Sequence, residues 1–128
     1  MQHWFDMEQD KTFGRRILVV EDDLSARESI KLLLRIDRHV VTEAKDGSEA
    51  LALVRQQPFD LVLLDYAMPG MKGWEVALNI KLIAPALPIL MVTAYVEKLT
   101  GADKPVDAVL AKPFAVEELR SAVAKLLP

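Results

Sequence analysis

The chain has 128 residues, 52% hydrophobic and 27% charged, with a net charge of −3 and no cysteine. That length suits one domain with a buried core. The acidic balance gives no footprint for DNA or RNA, and the missing thiols exclude disulfides, thiolate zinc sites and a cysteine nucleophile.

No apolar run reaches the roughly 18 residues that cross a bilayer. The polar opening, Met1 to Gly14, lacks the apolar core of a secretion signal. A cytoplasmic protein without membrane contact is therefore expected, with residues 1–15 as a flexible leader and 16–128 as one domain. Ile17-Leu18-Val19-Val20 predicts a strand over about 16–21, and Asp23 or Ser25 can cap a helix running to about 36. There Ala26, Ile30, Leu33 and Leu34 share a face, while Arg27, Glu28, Lys31 and Arg35 fall elsewhere. His39 to Glu43 reads as a second strand, shorter, more polar and nearer an edge. Asp46-Gly47-Ser48 turns the chain and caps a helix with Ala50, Leu51 and Val54 inward, closed by Pro58.

Phe59 to Leu64 predicts the third strand, ending in Asp65 and the loop Tyr66-Ala67-Met68-Pro69-Gly70. A helix follows over about 73–84 until Pro85 and Pro88 interrupt it. Pro88 to Val92 predicts the fourth strand with Thr93 at its tip, and Ala108 to Ala111 a fifth followed by Lys112. Between these two, Gly101 and Pro105 leave room for barely one or two turns, so a fourth helix, short or disordered, is expected across 95–107. The last helix, about 115–127, carries Val116, Leu119, Ala122, Val123 and Leu126 on its buried face. Strand alternating with helix implies a parallel sheet with right-handed crossovers and helices on both faces. The continuous apolar runs at 17–20, 61–64 and 89–92 suit central strands buried on both sides.

Open α/β sheets bind ligands at the carboxyl ends of their strands. Four such ends offer the carboxylates Glu21, Asp22 and Asp65, the Thr93 hydroxyl and the Lys112 ammonium. Converging carboxylates repel and raise one another's pKa. Mg²⁺ resolves that conflict, because it prefers a few carboxylate oxygens plus waters and a phosphoryl oxygen. An acid cluster, an ammonium and a hydroxyl suit phosphoryl transfer, where positioning and charge neutralisation do most of the catalysis. Neither His3 nor His39 falls at a strand's C-terminal tip, so the acceptor is an aspartate, with Asp65 best placed. Singly, each residue has a plainer explanation: Asp65 as a turn former, Asp23 as a helix cap, Lys112 as a surface lysine. Their joint order, one per strand end, carries the reading.

The segments ILVVEDD (17–23), LVLLDYAMPGMKG (61–73), PILMVTA (88–94) and AKPF (111–114) resemble the receiver domain of two-component response regulators. The resemblance implies a flavodoxin-like, doubly wound (βα)5 three-layer sandwich around a five-stranded parallel sheet. It implies that Asp65 takes a phosphoryl group from a kinase phosphohistidine. It assigns Asp22 and Asp65 to Mg²⁺ directly, Glu21 usually through water, and the Ala67 backbone carbonyl as a further ligand. Thr93 matches the switch threonine, and Lys112 the family's lysine, typically ahead of a cis-proline. A phosphoryl on Asp65 would draw in Thr93 and Lys112 and reshape the face around the fourth and fifth helices. This chain departs in three places: Val109 replaces the switch aromatic, Lys72 replaces an aspartate, and the stretch from Thr93 to Lys112 is short. Ordering of 95–107 on phosphorylation would then replace an aromatic rotation. Ala67 lacks a polar group to position water, which leaves autodephosphorylation to Tyr95.

The leading expectation is a single-domain phosphoacceptor signalling module, monomer or weak dimer. Its partners would be a histidine kinase or phosphotransfer protein and an unknown downstream protein. An aspartyl-phosphate phosphatase or phosphomutase is the enzymatic alternative, disfavoured because Ala67 stands where those enzymes usually need a second acid. A phosphorylation-independent scaffold is another, and flavin binding is weaker still. Trp74 is expected to pack or to half-expose the start of the third helix, with contact to a partner as the alternative. Met68, Met71 and Met91 read as core and loop fillers. Trp4 and Phe5 stay open.

Overall fold

Along the central strands, alternate side chains leave to opposite faces, and both sets are apolar. Leu18 and Val20, Val62 and Leu64, and Ile89 and Met91 join one core cluster; Ile17 and Val19, Leu61 and Leu63, and Leu90 and Val92 join the other. A sheet apolar on both faces must be covered on both, which is the three-layer solution.

The computed structural model describes residues 13–95 and 105–127. On these lie five strands: β1 (Arg16–Val20), β2 (Val40–Ala44), β3 (Leu61–Asp65), β4 (Ile89–Thr93) and β5 (Ala108–Ala111). The helices described are α1 (Leu24–Arg35), α2 (Gly47–Gln56), α3 (Gly73–Ile83) and, at the C-terminal end, α4 (Val116–Leu126). The sheet order is β2-β1-β3-β4-β5, with every pair parallel. Helices α2 and α3 cover one face through Ala50, Leu51, Val54, Val76, Ala77 and Ile80. Helices α1 and α4 cover the other through Ile30, Leu34, Leu119 and Val123. This is the flavodoxin-like, doubly wound arrangement expected, with β3 at the centre of the order.

Local chemistry sets the starts of the helices. Asp23 accepts the Ala26 N–H at 2.8 Å and caps α1; Asp46 accepts the Glu49 N–H at 2.8 Å and caps α2. In α3 and α4 a first-turn glutamate reaches back to the backbone ahead of the helix: Glu75 to the Lys72 N–H at 3.3 Å, Glu118 to the Ala115 N–H at 2.8 Å. Gly73 opens α3 where a Cβ would meet the Tyr66 Cα at 2.8 Å and the Asp65 carbonyl oxygen at 2.9 Å. The helix lies so close to the end of β3 that only a glycine fits.

The boundaries correct several expectations. The third strand starts at Leu61 and ends on Asp65 itself. Asp60 ahead of it spends its carboxylate on the Arg16 N–H at 2.7 Å and the Arg15 guanidinium at 3.4 Å. The second strand is an edge strand, yet at five residues it is as long as β1, β3 and β4. Val116 is 41% exposed, not buried. It sits in the first turn of α4, and Phe114 packs against the core ahead of it. Trp74 is half-exposed at the start of α3, while Met68 and Met91 are buried and Met71 packs partly against the core. The leader expected over 1–15 lies, up to residue 12, outside the described residues, as does most of the stretch 95–107.

One buried polar group stands at the opposite edge of the sheet from the carboxylates. His39 Nδ1 accepts the Arg15 N–H at 3.0 Å, so the neutral ring carries its proton on Nε2. That Nε2 is buried with no hydrogen-bond partner among the described residues. Protonation needs a second N–H at the nitrogen that already accepts from Arg15. Burial is the main cause that lowers the His39 pKa; the Arg15 charge adds to it, and the charges of Asp37 and Asp60 oppose it. Above the ordinary imidazole value of 6.5, folded and unfolded chains are both neutral here. Below it the unfolded chain takes up a proton that the folded chain refuses, and stability is lost down to the depressed folded pKa. Denaturant unfolding at pH 7.5 and 5.5 should therefore show His39→Asn losing less stability than wild type over that interval; equal losses would contradict this account of His39.

Candidate functional site

Parallel strands paired in phase bring their carboxyl ends to one edge. Val20 pairs with Ala44 and with Leu64, Asp65 with Val92, and Thr93 with Ala111. The backbone continues the pattern just beyond: the Glu21 N–H donates to the Ala44 carbonyl at 3.0 Å, the Tyr66 N–H to Val92 at 3.0 Å, and the Lys112 N–H to Thr93 at 2.8 Å. Residues separated by up to 91 positions thus meet at side-chain range.

All six residues singled out from the sequence line one crevice of about 300 Å³: Glu21, Asp22, Asp65, Ala67, Thr93 and Lys112. Carboxylate oxygens of Glu21, Asp22 and Asp65 lie within 4.8 Å of one another. Lys112 Nζ donates to Asp65 at 2.9 Å and to Glu21 at 3.3 Å. Thr93 is buried, and its Oγ1 accepts the Tyr95 N–H at 2.8 Å, which leaves its own proton to donate. The peptide bond from Lys112 to Pro113 is cis.

The electrostatics follow from crowding. Glu21 is 3% and Asp65 5% exposed. Burial, then the charge of Asp65, pushes the Glu21 carboxyl above its ordinary range. Burial also raises Asp65; Lys112 opposes the rise and the Asp22 charge adds to it. Burial disfavours the Lys112 ammonium, yet the bond and charge of Asp65, helped by Glu21, hold its pKa above the ordinary 10.5. Among the described residues Glu21, Asp22 and Asp65 share the Lys112 ammonium, so negative charge is in surplus there in a partly water-excluded place. Oxygen-only donors of this kind fit a hard divalent cation such as Mg²⁺.

One contributor escaped the sequence reading, and another, Tyr95, expected there to govern autodephosphorylation, meets the site through its backbone. Arg27, read as lying off the apolar face of its helix, donates from Nη1 to the Glu21 carbonyl at 2.8 Å and from Nε to Glu43 Oε1 at 3.1 Å. Its only signal is its place one turn into the helix that follows the acidic turn. Tyr95 enters through its backbone N–H on Thr93, a contact no side-chain pattern announces.

A family model described as the response regulator receiver domain matches residues 17–124. The chain is 42% identical over 115 residues to the response regulator MprA of Mycolicibacterium vanbaalenii, covering 88% of this chain and 50% of that protein. It therefore spans about half the length of the curated relatives it matches. Among solved structures, the response regulator protein TrrA from Thermotoga maritima, in complex with Mg²⁺-BeF, superposes with a TM-score of 0.82 at 36% identity, covering 88% of this chain and 99% of that one. The chemotaxis protein CheY4 of Vibrio cholerae gives a TM-score of 0.82 at 30% identity, covering 89% and 99%.

The crowding at Asp65 has a measurable cost. Asp65→Asn removes a buried charge that its neighbours disfavour and leaves Lys112 paired with Glu21. In metal-free buffer at pH 7.5, thermal unfolding should show this variant melting a few degrees above wild type; a lower midpoint would mean that the Lys112 pairing outweighs the burial.

Proposed function

Because the chain belongs to the response regulator receiver domain family, we propose that it is a phosphoacceptor signalling module, with Asp65 as the acceptor. Residues 16–128 form the receiver unit, acting in the cytoplasm. A histidine kinase or a phosphotransfer protein supplies the phosphoryl group, and the phosphorylated form alters a contact with a downstream protein. The observation that carries this reading is Lys112 held by Asp65 and Glu21 at once, in a crevice shared with Thr93.

In this scheme a carboxylate oxygen of Asp65 attacks the phosphorus of a phosphohistidine. The P–N bond breaks, the imidazole leaves with the electron pair and takes a proton, and Asp65 carries an acyl phosphate. Burial keeps water from competing for the phosphoryl group. Glu21, Asp22 and Asp65, with the Ala67 carbonyl, would hold Mg²⁺, which when bound neutralises charge on the phosphoryl oxygens. Lys112 moves from pairing with carboxylates to pairing with the new anion, and Thr93 donates its free hydroxyl proton to a phosphoryl oxygen. Both movements pull on the ends of β4 and β5. With Val109 at 39% exposure and no aromatic there, the readout falls to the backbone that joins those strands.

The chain would turn over no substrate beyond its own phosphorylation and dephosphorylation. Intact mass after incubation with acetyl phosphate and Mg²⁺ tests this: wild type should gain roughly 80 Da, one phosphoryl on a carboxylate, and Asp65→Asn none. No gain in either protein, with the fold intact, would favour a phosphorylation-independent scaffold. Steady release of inorganic phosphate from several organic phosphates would favour the aspartyl-phosphate phosphatase.

A further inference from the structure

The acidic turn after β1 is held from more sides than its own sequence provides. The Glu21 N–H is fixed by the Ala44 carbonyl of β2 at 3.0 Å, and the Glu21 carboxylate takes the Asp23 N–H and Lys112 Nζ, each at 3.3 Å. The remaining backbone group, the Glu21 carbonyl, is taken by Arg27 Nη1 of α1 at 2.8 Å. The same guanidinium reaches Glu43 of β2 through Nε at 3.1 Å. Glu43 is fixed in turn by Lys31 at 3.2 Å, and Lys31 also holds Glu28 at 3.1 Å. The Arg27 side chain is 15% exposed, so the bridge lies largely out of water. A planar fork with separate donors on Nε and Nη1 holds both acceptors at a fixed spacing; an ammonium would have to reach both from a single nitrogen.

We propose that Arg27 is a positioning residue for the divalent cation. By tying the Glu21 carbonyl to Glu43 on β2, it holds the acidic turn in the shape that presents Glu21 and Asp22 to Asp65. The inference rests on the reading of the crevice as a Mg²⁺ site. It adds a residue that touches neither metal nor phosphoryl group and acts through the backbone of one ligand, as outer partners of metal ligands do.

Two effects of Arg27 oppose each other in sign, which makes the proposal decidable. As a cation near a cation site it repels Mg²⁺, so charge alone predicts tighter binding once it is removed. As a brace it improves the carboxylate geometry, so removal loosens binding. Arg27→Lys keeps the charge and loses the fork; Arg27→Gln loses both. Calorimetric Mg²⁺ titration of the full chain should show the dissociation constant rising about tenfold in both variants, the lower end of the range for outer-shell partners. Lys31→Met, which weakens the same collar without touching the Glu21 backbone, should stay within about twofold of wild type. Unfolding in metal-free buffer separates this from general loss of fold, since Mg²⁺ affinity should not follow the melting temperature across the three variants.

Tighter binding by Arg27→Gln with Arg27→Lys unchanged would show a charge effect only and overturn the proposal. So would wild-type affinity in both Arg27 variants, or a loss in Lys31→Met as large as theirs. A folded wild type that takes up no Mg²⁺ would instead reject the metal reading, and the brace with it.

Discussion

Negative charge packed at the edge of an apolar sheet is the constraint around which this molecule is arranged. Glu21 and Asp65 are almost wholly buried, and burial disfavours their ionised forms. Lys112 relieves part of that conflict by bonding both, from a strand that enters the sheet far later in the chain. The relief is incomplete, because Asp22 adds a third carboxylate to the same few ångströms. A protein selected only for stability would neutralise or expose one of these groups, since buried ions lacking full compensation destabilise. Crowding of this kind marks the edge as a candidate functional site, one suited to binding positive charge.

The rest of the fold holds that edge still. In-phase parallel pairing sets the heights of the strand ends, and helices on both faces prevent the sheet from sliding. Polar contacts away from the edge tie one element to another, some of them distant in the chain. Lys81 joins α3 to the Leu87 carbonyl and to Asp107 just before β5, while Asp107 also accepts the Ile89 N–H. Arg120 of α4 grips Asp37 through two nitrogens at 2.6 and 3.0 Å. These ties fix where β4 and β5 begin and how α4 meets the end of α1, so the ends bearing Thr93 and Lys112 are held at their far side.

Much of this is legible in the amino-acid sequence. Apolar runs bounded by Gly, Pro and Asp marked the strands, and the residue following each run marked the site, because a parallel sheet converts four separate runs into one edge. Asp65, Thr93 and Lys112 could be placed together for that reason alone. Boundaries were less legible: Phe59 and Asp60 look like strand, yet Asp60 has a side chain that competes for backbone donors at the start of β1. Val116 follows the helical period but sits a turn too early to meet the core. Arg27 was illegible because its partners are a carbonyl and a residue on another strand. Periodicity assigns a side chain to a face of its own helix and cannot say what stands opposite.

Gly73 gives the fold a mechanical consequence. The first turn of α3 rests directly on the backbone of Asp65 and Tyr66, and the Gly73 N–H donates to the Tyr66 carbonyl at 3.1 Å. No side chain cushions that contact, so the end of β3 and the start of α3 behave as one solid joint. A displacement of the Asp65 main chain is passed on to the first turn of α3, while the loop 66–72 beside it packs Met68 and Met71 against the core. A shift at the sheet's centre thus has an outlet through α3, on the face opposite α4, that does not pass through Thr93.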